Sequence, residues 1–119
     1  MRFLVLIHED TTCEAGPPPA SLIDAVGAFR EDTTNGRWLD DGGLLPPQDA
    51  LHVRTEAGAT SVLDGPFAEA KEVIGGFFVV ESLSPEHMER WVTAFVGLHS
   101  EHWPELSYRA EVRQIVDPG

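Results

Sequence analysis

Apolar residues along the chain form two short continuous runs, at residues 3–7 and 73–80, and the second run contains Gly75 and Gly76. A strand that is apolar at successive positions is buried on both faces, as happens at the centre of a sheet. The two runs therefore predict the two central strands of one sheet. Glycine weakens a strand, so the glycine pair indicates that a neighbouring backbone or a ligand approaches closely there.

Two further stretches carry apolar side chains at the spacing of amphipathic helices. The first, residues 20–34, follows three prolines, and Asn35 with Gly36 predicts a left-handed end. The second begins at Ser84-Pro85-Glu86, which combines an N-cap, a proline at the first position and an acid in the first turn. The predicted buried stripes are Leu22, Ile23, Val26 and Phe29 in the first helix, and Met88, Trp91, Val92, Phe95 and Val96 in the second.

The remaining segments predict edge strands and a hairpin. Residues 37–45 fit a short strand with a bulge or bend at Gly42 and Gly43. Residues 51–55 and 60–63 flank a glycine-containing turn, and the first of them alternates between apolar and polar side chains, as in a hairpin with one solvated face. A last strand is expected over residues 107–116, with one face formed by Ala110, Val112, Gln114 and Val116.

This order of elements predicts an α+β, ferredoxin-like βαββαβ fold with an added hairpin strand. The first and third core strands are central in that arrangement, and they are the two with continuous apolar runs. Both helices cover one face of the sheet, so a second subunit is expected to cover the other. The length of 119 residues fits a single domain, residues 1–119.

Charge and composition exclude several classes of function. Twenty acidic against eight basic residues give a formal net charge of -12, and no cluster of Lys or Arg is present to bind a phosphate backbone. No apolar run approaches the roughly 20 residues of a membrane span. The first apolar run is followed by acids, which favours a strand over a signal peptide. We therefore expect a cytoplasmic protein that binds neither nucleic acid nor membrane.

The sequence motifs do not point to a cofactor or a metal. Cys13 is the sole cysteine, and no base lies near it in the sequence, so an inert thiol is expected. His99 and His102 lack an evident third ligand for a metal ion. The glycine-rich nucleotide motifs, the nucleophile elbow and the Cys-x-x-Cys motif do not occur in the sequence. We therefore expect neither a cofactor nor a metal.

The predicted topology brings polar residues together at one rim of the sheet. The two central strands are antiparallel neighbours, so His8 at the end of the first lies near Lys71 and Glu72 at the start of the second. Arg109, at the start of the last strand, and the turn at Asp64 reach the same rim. An imidazole beside carboxylates can work as an acid–base pair, because the carboxylate fixes the tautomer of the ring.

Each of these residues also has a structural explanation. His8 can end a strand within a solvated network of ion pairs, and Asp64 can accept hydrogen bonds from the backbone of its own turn. Phe67 can fill the core, and Lys71 can pair with a neighbouring acid such as Glu69. The residues alone leave these alternatives open.

The segment Asp64-Gly65-Pro66-Phe67-Ala68-Glu69-Ala70-Lys71-Glu72, followed by Gly75-Gly76-Phe77, resembles the signature of the YCII-related family in its DGPF branch. The likeness also covers Cys13-Glu14-Ala15-Gly16, Gly42-Gly43-Leu44 and Glu111-Val112-Arg113-Gln114. The resemblance implies a ferredoxin-like fold of the dimeric α+β barrel type, in which two subunits pack sheet on sheet. Members of this branch are often encoded beside sigma factors.

The resemblance implies no particular reaction. A better-known branch of the family has a histidine–aspartate active site, and one relative is a dehalogenating enzyme. Residues 20–34 of this chain contain no histidine, so the catalytic histidine of that branch cannot be carried over.

Two hypotheses about function follow from the sequence. In the first, a homodimer binds a small polar or anionic organic molecule beside the Asp64 turn and catalyses a cofactor-free acid–base step, such as isomerisation, elimination or dehalogenation. In the second, the chain is a non-catalytic ligand-sensing or interaction module of sigma-factor regulation. The first hypothesis assigns acid–base roles to Asp64, His8 and Glu72, substrate orientation to Lys71 and Arg109, and the shape of the pocket to Phe67, Gly75 and Gly76.

Overall fold

The structure is a computed structural model that describes residues 1–63 and 72–118, and within those residues it contains six strands and two α-helices. The bounds are β1 (Arg2–Asp10), α1 (Ala20–Glu31), β2 (Arg37–Gly43), β3 (His52–Glu56), β4 (Ala59–Leu63), β5 (Glu72–Glu81), α2 (Pro85–His102) and β6 (Tyr108–Ile115). A single 3-10 turn, Pro47–Asp49, precedes β3.

Four of these strands form one antiparallel sheet in the order β2-β5-β1-β6. The two strands with continuous apolar runs, β1 and β5, occupy its centre, as the sequence predicts. Both helices connect strands of this sheet, which is the ferredoxin-like βαββαβ arrangement. The predicted α+β fold class is therefore confirmed.

The pairing of β1 with β6 is regular from Arg2 to Glu9, so side chains of β1 alternate between the two faces of the sheet over these residues. One face, which we call the covered face, packs against the helices through a core of Phe3, Val5, Val80, Met88, Trp91 and Phe95. The other, which we call the open face, carries the alternate positions, including Leu4, Leu6 and His8. Glu9 lies on the covered face, because it follows His8 directly.

Helix α1 buries one face but ends differently from its prediction. Leu22 is buried, and Val26 and Phe29 pack against the core. Ile23, however, is 60% exposed, because it lies about 100° around the helix from Leu22. The predicted stripe was wrong at that position.

The end of α1 is formed by an aspartate and not by a left-handed glycine. The carboxylate of Asp32 accepts hydrogen bonds from the backbone N–H and the hydroxyl of Thr34, and these bonds lower the pKa of Asp32. Gly36 is absent from the positions with positive φ, so the predicted left-handed stop was wrong. Gly36 is needed for packing, since a Cβ there would lie 2.8 Å from Trp91 Cδ1.

Helix α2 begins and packs as its sequence predicts. The Ser84 hydroxyl accepts a hydrogen bond from the His87 backbone N–H at 3.1 Å, which satisfies one of the free donors of the first turn. Met88, Trp91 and Phe95 are buried, and the rings of Trp91 and Phe95 stack with their centroids 5.4 Å apart. Neither helix of the described residues has the length and apolar character to cross a membrane.

The bulge of β2 lies at a different place from the predicted one. The register against β5 shifts between Trp38 and Asp40, whereas Gly42 and Gly43 pair in register with Phe77 and Gly76. The bulge predicted at the glycines was therefore wrong. Gly42 instead makes room for Phe77, because a Cβ at that position would lie 2.7 Å from the Phe77 ring.

The hairpin of β3 and β4 forms a two-stranded sheet of its own among the described residues. Its turn, Ala57 and Gly58, has φ angles of 51° and 80°, as the two central residues of a type I′ turn do. The paired side chains of Val53 and Val62 are 56% and 61% exposed. The added strands thus extend the chain without widening the main sheet.

Candidate functional site

A cavity of about 640 Å³ lies at one end of the covered face, between the sheet and the C-terminal half of α2. The strands β1, β2 and β5 contribute its floor, and residues 13–16 and 106–108 contribute its sides. Much of its wall is aromatic, formed by Trp38, Phe78, Phe95, His99, Trp103 and Tyr108. Such a cavity suits a small organic molecule, because known ligand pockets hold about 300–1,000 Å³ and are mostly apolar.

The residues 13–16 are held against the end of α2 by two hydrogen bonds. The indole N–H of Trp103 donates to the carbonyl of Ala15 at 3.0 Å. The thiol of Cys13 donates to the carbonyl of Glu105 at 3.3 Å. These bonds close one side of the cavity, and they give Cys13 a structural contact.

The polar wall of the cavity contains one arginine that is already paired. The guanidinium of Arg30 lies 2.7 Å from the carboxylate of Asp41 and 4.4 Å above the ring of Trp38. The bulge of β2 sets this geometry, because Trp38 and Asp41 would lie on opposite faces of a regular strand. Arg30 is therefore occupied on two sides.

Two buried donors of the cavity wall have no hydrogen-bond partner within the described residues. They are the indole N–H of Trp38 and the hydroxyl of Tyr108. Burial raises the pKa of Tyr108 well above its usual value, so the phenol keeps its proton at neutral pH. Unpaired buried donors cost free energy, and a ligand acceptor would remove that cost.

The glycine pair of β5 makes room for a side chain and for a backbone, respectively. A Cβ at Gly75 would overlap the carboxylate of Glu9. A Cβ at Gly76 would lie 3.1 Å from the carbonyl oxygen of Gly42 on the adjacent strand. The close approach predicted at these glycines thus comes from the protein itself, and Gly76 also lines the cavity.

The rim residues predicted to meet do so on the open face. His8 Nε2 lies 2.8 Å from Glu111 Oε1, and His8 Nδ1 lies 3.4 Å from Glu72 Oε1. The same Glu72 oxygen accepts a hydrogen bond from Arg109 at 2.5 Å. Both ring nitrogens of the 15% exposed imidazole thus face carboxylates, which is the arrangement of an ion-pair network.

The structure divides the predicted site residues into three groups. His8, Glu72 and Arg109 come together, but none of them lines the cavity. Gly75 and Gly76 lie at the floor of the cavity or beside it. Asp64, Phe67 and Lys71 lie outside the described residues, so their predicted roles stay predictions, as do the catalytic and binding roles of the others.

Most of the cavity residues carry no signal in the sequence that marks them as a site. Trp38, Tyr108 and Arg30 belong to three different elements, and no local motif links them. Glu9 could have been found, because the period of two in a strand places it opposite to His8 and on the side of Ile7. No group of three His, Cys, Asp or Glu side chains suited to a metal occurs in residues 1–63 and 72–118.

Similarity to known proteins agrees with the fold. One curated relative, an uncharacterised protein of Rhizobium meliloti (strain 1021), is 46% identical over 63 residues, which are 53% of this chain and 51% of the relative. This chain therefore matches about half the length of that relative, whose name states no activity. A family model of the YCII-related domain matches residues 1–97. Because that match spans most of the chain and agrees with the fold, the chain belongs to the YCII-related family.

Proposed function

We propose that this protein is a homodimer that binds a small organic molecule in the cavity between the sheet and α2. The observation that carries the proposal is the cavity itself, with aromatic walls and two donors, Trp38 Nε1 and Tyr108 Oη, that have no hydrogen-bond partner in residues 1–63 and 72–118. A cavity of this kind supplies apolar contact to the body of a ligand and hydrogen bonds to fix its orientation.

A substitution that fills the cavity tests this proposal. A Cβ at Gly43 would meet no atom within 4 Å, and Gly43 lines the cavity. Gly43→Val should therefore occupy part of the volume while β2 is kept. Gly97→Ala is the control, since a Cβ at Gly97 also meets open space but the residue lies outside the cavity lining.

The readout is tryptophan fluorescence, because Trp38 and Trp103 line the cavity. We expect phenethyl alcohol, a neutral aromatic probe, to change the emission of the wild-type protein and of Gly97→Ala at saturable concentrations. Gly43→Val should lose most of this response and keep its melting temperature within a few degrees. Equal binding by all three proteins would show that the probe lies elsewhere and would contradict the proposal.

The homodimer is supported by the shape and surface of a single chain. The chain measures 47 × 42 × 18 Å, and its radius of gyration is 16.8 Å, whereas about 13.5 Å is expected for a compact domain of this length. The open face also presents apolar side chains, among them Ile74, which is 39% exposed. A second copy packed on that face would bury them.

Light scattering tests the dimer. Ile74→Glu should produce a monomer, because it puts a charge into the proposed interface. Thr93→Glu, which places the same charge on the exposed side of α2, should leave the mass unchanged. A wild-type protein that scatters as a monomer at micromolar concentration would refute the dimer and leave the cavity proposal standing.

The contacts of His8 favour a binding protein over an acid–base enzyme of the predicted kind. Both ring nitrogens are held by carboxylates, so proton exchange with a substrate would require one contact to open. His8 also lies on the face opposite to the cavity. Catalysis by His8, Glu72 and Asp64 stays a prediction, and turnover of a bound ligand that is lost in His8→Gln would favour it.

A further inference from the structure

The charged residues around the cavity are mostly acidic. Glu9, Asp10, Glu14 and Asp41 line it, against Arg30 as the one arginine in the described lining. Arg30 is paired with Asp41 at 2.7 Å, so these two charges largely offset one another. Glu9 and Glu14 add further negative charge to the described lining, in a chain whose formal net charge is already -12.

The carboxylate of Glu9 is placed beside the floor of the cavity by a specific feature of the sheet. Glu9 follows Ile7 on the covered face, and β5 has a register shift at this point, where Ile7 pairs with Gly76 and His8 pairs with Ile74. Gly75 is the residue that the shift leaves over, and the Glu9 carboxylate lies where a Cβ of Gly75 would be. No hydrogen bond or ion pair joins the carboxylate of Glu9 to another described residue.

The aromatic wall suits the same kind of ligand as the carboxylates. Ring faces of Trp, Tyr and Phe attract ammonium groups as well as apolar groups, and Trp38, Phe95 and Trp103 are among the lining residues. An anionic ligand would gain no free guanidinium from Arg30 and would lie close to the carboxylates of Glu9 and Glu14. A cation would be attracted both by the carboxylates and by the faces of the aromatic rings.

We propose that the cavity selects a small organic cation, an amine with an apolar or aromatic body, whose ammonium group lies against Glu9 beside Gly75. This inference rests on the proposed function, since it names the ligand class of the same cavity. It departs from the polar or anionic ligand expected from Lys71 and Arg109. Arg109 lies on the open face with Glu72, and Lys71 lies outside the described residues.

Three probes with the same aromatic body separate charge from shape. Phenethylamine, phenethyl alcohol and hydrocinnamate carry a positive, a neutral and a negative group at neutral pH, and calorimetry gives the dissociation constant of each. We expect the amine to bind about five- to tenfold more tightly than the alcohol, as one ion pair with cation–π support provides. Hydrocinnamate should bind most weakly.

Two variants locate the preference at Glu9. Glu9→Gln should weaken the amine about two- to fivefold, because the cation–π contacts remain, and leave the alcohol unchanged. Gly75→Ala should have the same effect, because its methyl group displaces the carboxylate, and only a flexible side chain has to move. Asp24→Asn is the matched control, since Asp24 is an exposed carboxylate of α1 outside the lining and its loss should change neither affinity.

The outcomes distinguish the two proposals. If the alcohol binds, Gly43→Val abolishes that binding, and hydrocinnamate binds as well as the amine, the cation preference is wrong and the cavity proposal stands. An amine preference that Glu9→Gln does not reduce would also overturn the inference. If none of the three probes binds the wild-type protein at millimolar concentration, both proposals fail.

Discussion

The two faces of the four-stranded sheet differ in what their polar residues do. On the covered face a buried aromatic core passes into a cavity that contains the carboxylate of Glu9 and two donors without a hydrogen-bond partner among the described residues. On the open face the polar residues satisfy one another, because His8 contacts both Glu72 and Glu111. The covered face therefore has polar groups that a ligand could bind, whereas the open face has exposed apolar side chains that a second subunit could cover.

This difference begins with the alternation of a single strand. His8 and Glu9 are adjacent in the sequence, and both come at the end of the same apolar run. Successive side chains of a strand point to opposite faces, so one joins the ion-pair network and the other joins the cavity. Proximity in sequence is thus a poor guide to a shared site at a strand end.

The largest loss of stability is expected from truncating a side chain in the core of the covered face. Trp91 is 2% exposed and stacks on Phe95, so Trp91→Ala should lower the free energy of unfolding by about 3–5 kcal/mol. Val62→Ala, in the exposed hairpin, should cost less than about 1 kcal/mol. Urea unfolding measures both, and similar losses would show that the helices do not cover the main core.

A smaller loss is expected from overpacking the same region. A Cβ at Gly36 would lie 2.8 Å from Trp91 Cδ1 and 3.0 Å from Val80 Cγ1, so Gly36→Ala should cost about 1–3 kcal/mol. Gly27→Ala is the control, because a Cβ there meets open space and alanine favours the helix by up to about 1 kcal/mol. A neutral Gly36→Ala would mean that α2 can shift away from β2 without loss.

The third effect appears only at alkaline pH and concerns the cavity. Burial raises the pKa of Tyr108 above that of an unfolded tyrosine, so this group contributes stability that is fully present below pH about 10 and is lost as the pH rises further. Tyr108 is the sole tyrosine, so tyrosinate absorbance reports it alone. We expect ionisation of the native protein well above pH 10, and near pH 10 in urea.

The phenylalanine variant checks the origin of that pH dependence. Tyr108→Phe should remove part of the loss of stability above pH about 10, because no phenol is left to ionise in the unfolded state. An unshifted pKa of Tyr108 in the native protein would show that the hydroxyl is in contact with water. Tyr108 would then no longer support the presence of a ligand acceptor.

The smallest effect is expected on the open face. Glu111→Gln weakens one contact of His8 and leaves the contact with Glu72, and both carboxylates are partly exposed. We expect a loss of about 0.5–1 kcal/mol in chemical unfolding at neutral pH, measured in the Ile74→Glu background so that no second subunit covers His8. Glu56→Gln, in the exposed pair with Arg54, should change stability by a smaller amount. A loss above about 3 kcal/mol in that background would contradict an exposed network and indicate a pair that is buried within the single chain.

Much of the fold could be predicted because it depends on local patterns. The two continuous apolar runs identify β1 and β5 as central, and Ser84 with Pro85 predicts the start of α2. Apart from the exposed Ile23, the errors concern the end of a helix and the bend of a strand. Hydrogen bonds between Asp32 and Thr34 end α1 before the predicted glycine stop. The bulge of β2 near Trp38 has no signature in the residue types around it.

The site was predictable only in part. The contacts at the rim followed from the predicted strand order, because antiparallel neighbours bring His8 close to Glu72 and Arg109. The cavity could not be predicted, because its aromatic residues, such as Phe95, also fit the buried stripe of a helix. Their spacing does not distinguish residues packed in a core from residues that line a cavity. The glycine pair of β5 was the one local signal of a close approach, without naming what approaches.

The sequence by itself determined the α+β class, the central strands, the family and the acidic charge, since each depends on residue types and short-range periodicity. The tertiary structure alone decided that the Glu9 carboxylate lies beside Gly75, that Arg30 is paired with Asp41 and that the Tyr108 hydroxyl has no hydrogen-bond partner among the described residues. These facts depend on register and on packing between distant elements. A shift of one residue in a strand exchanges its faces, and no local pattern encodes that shift here.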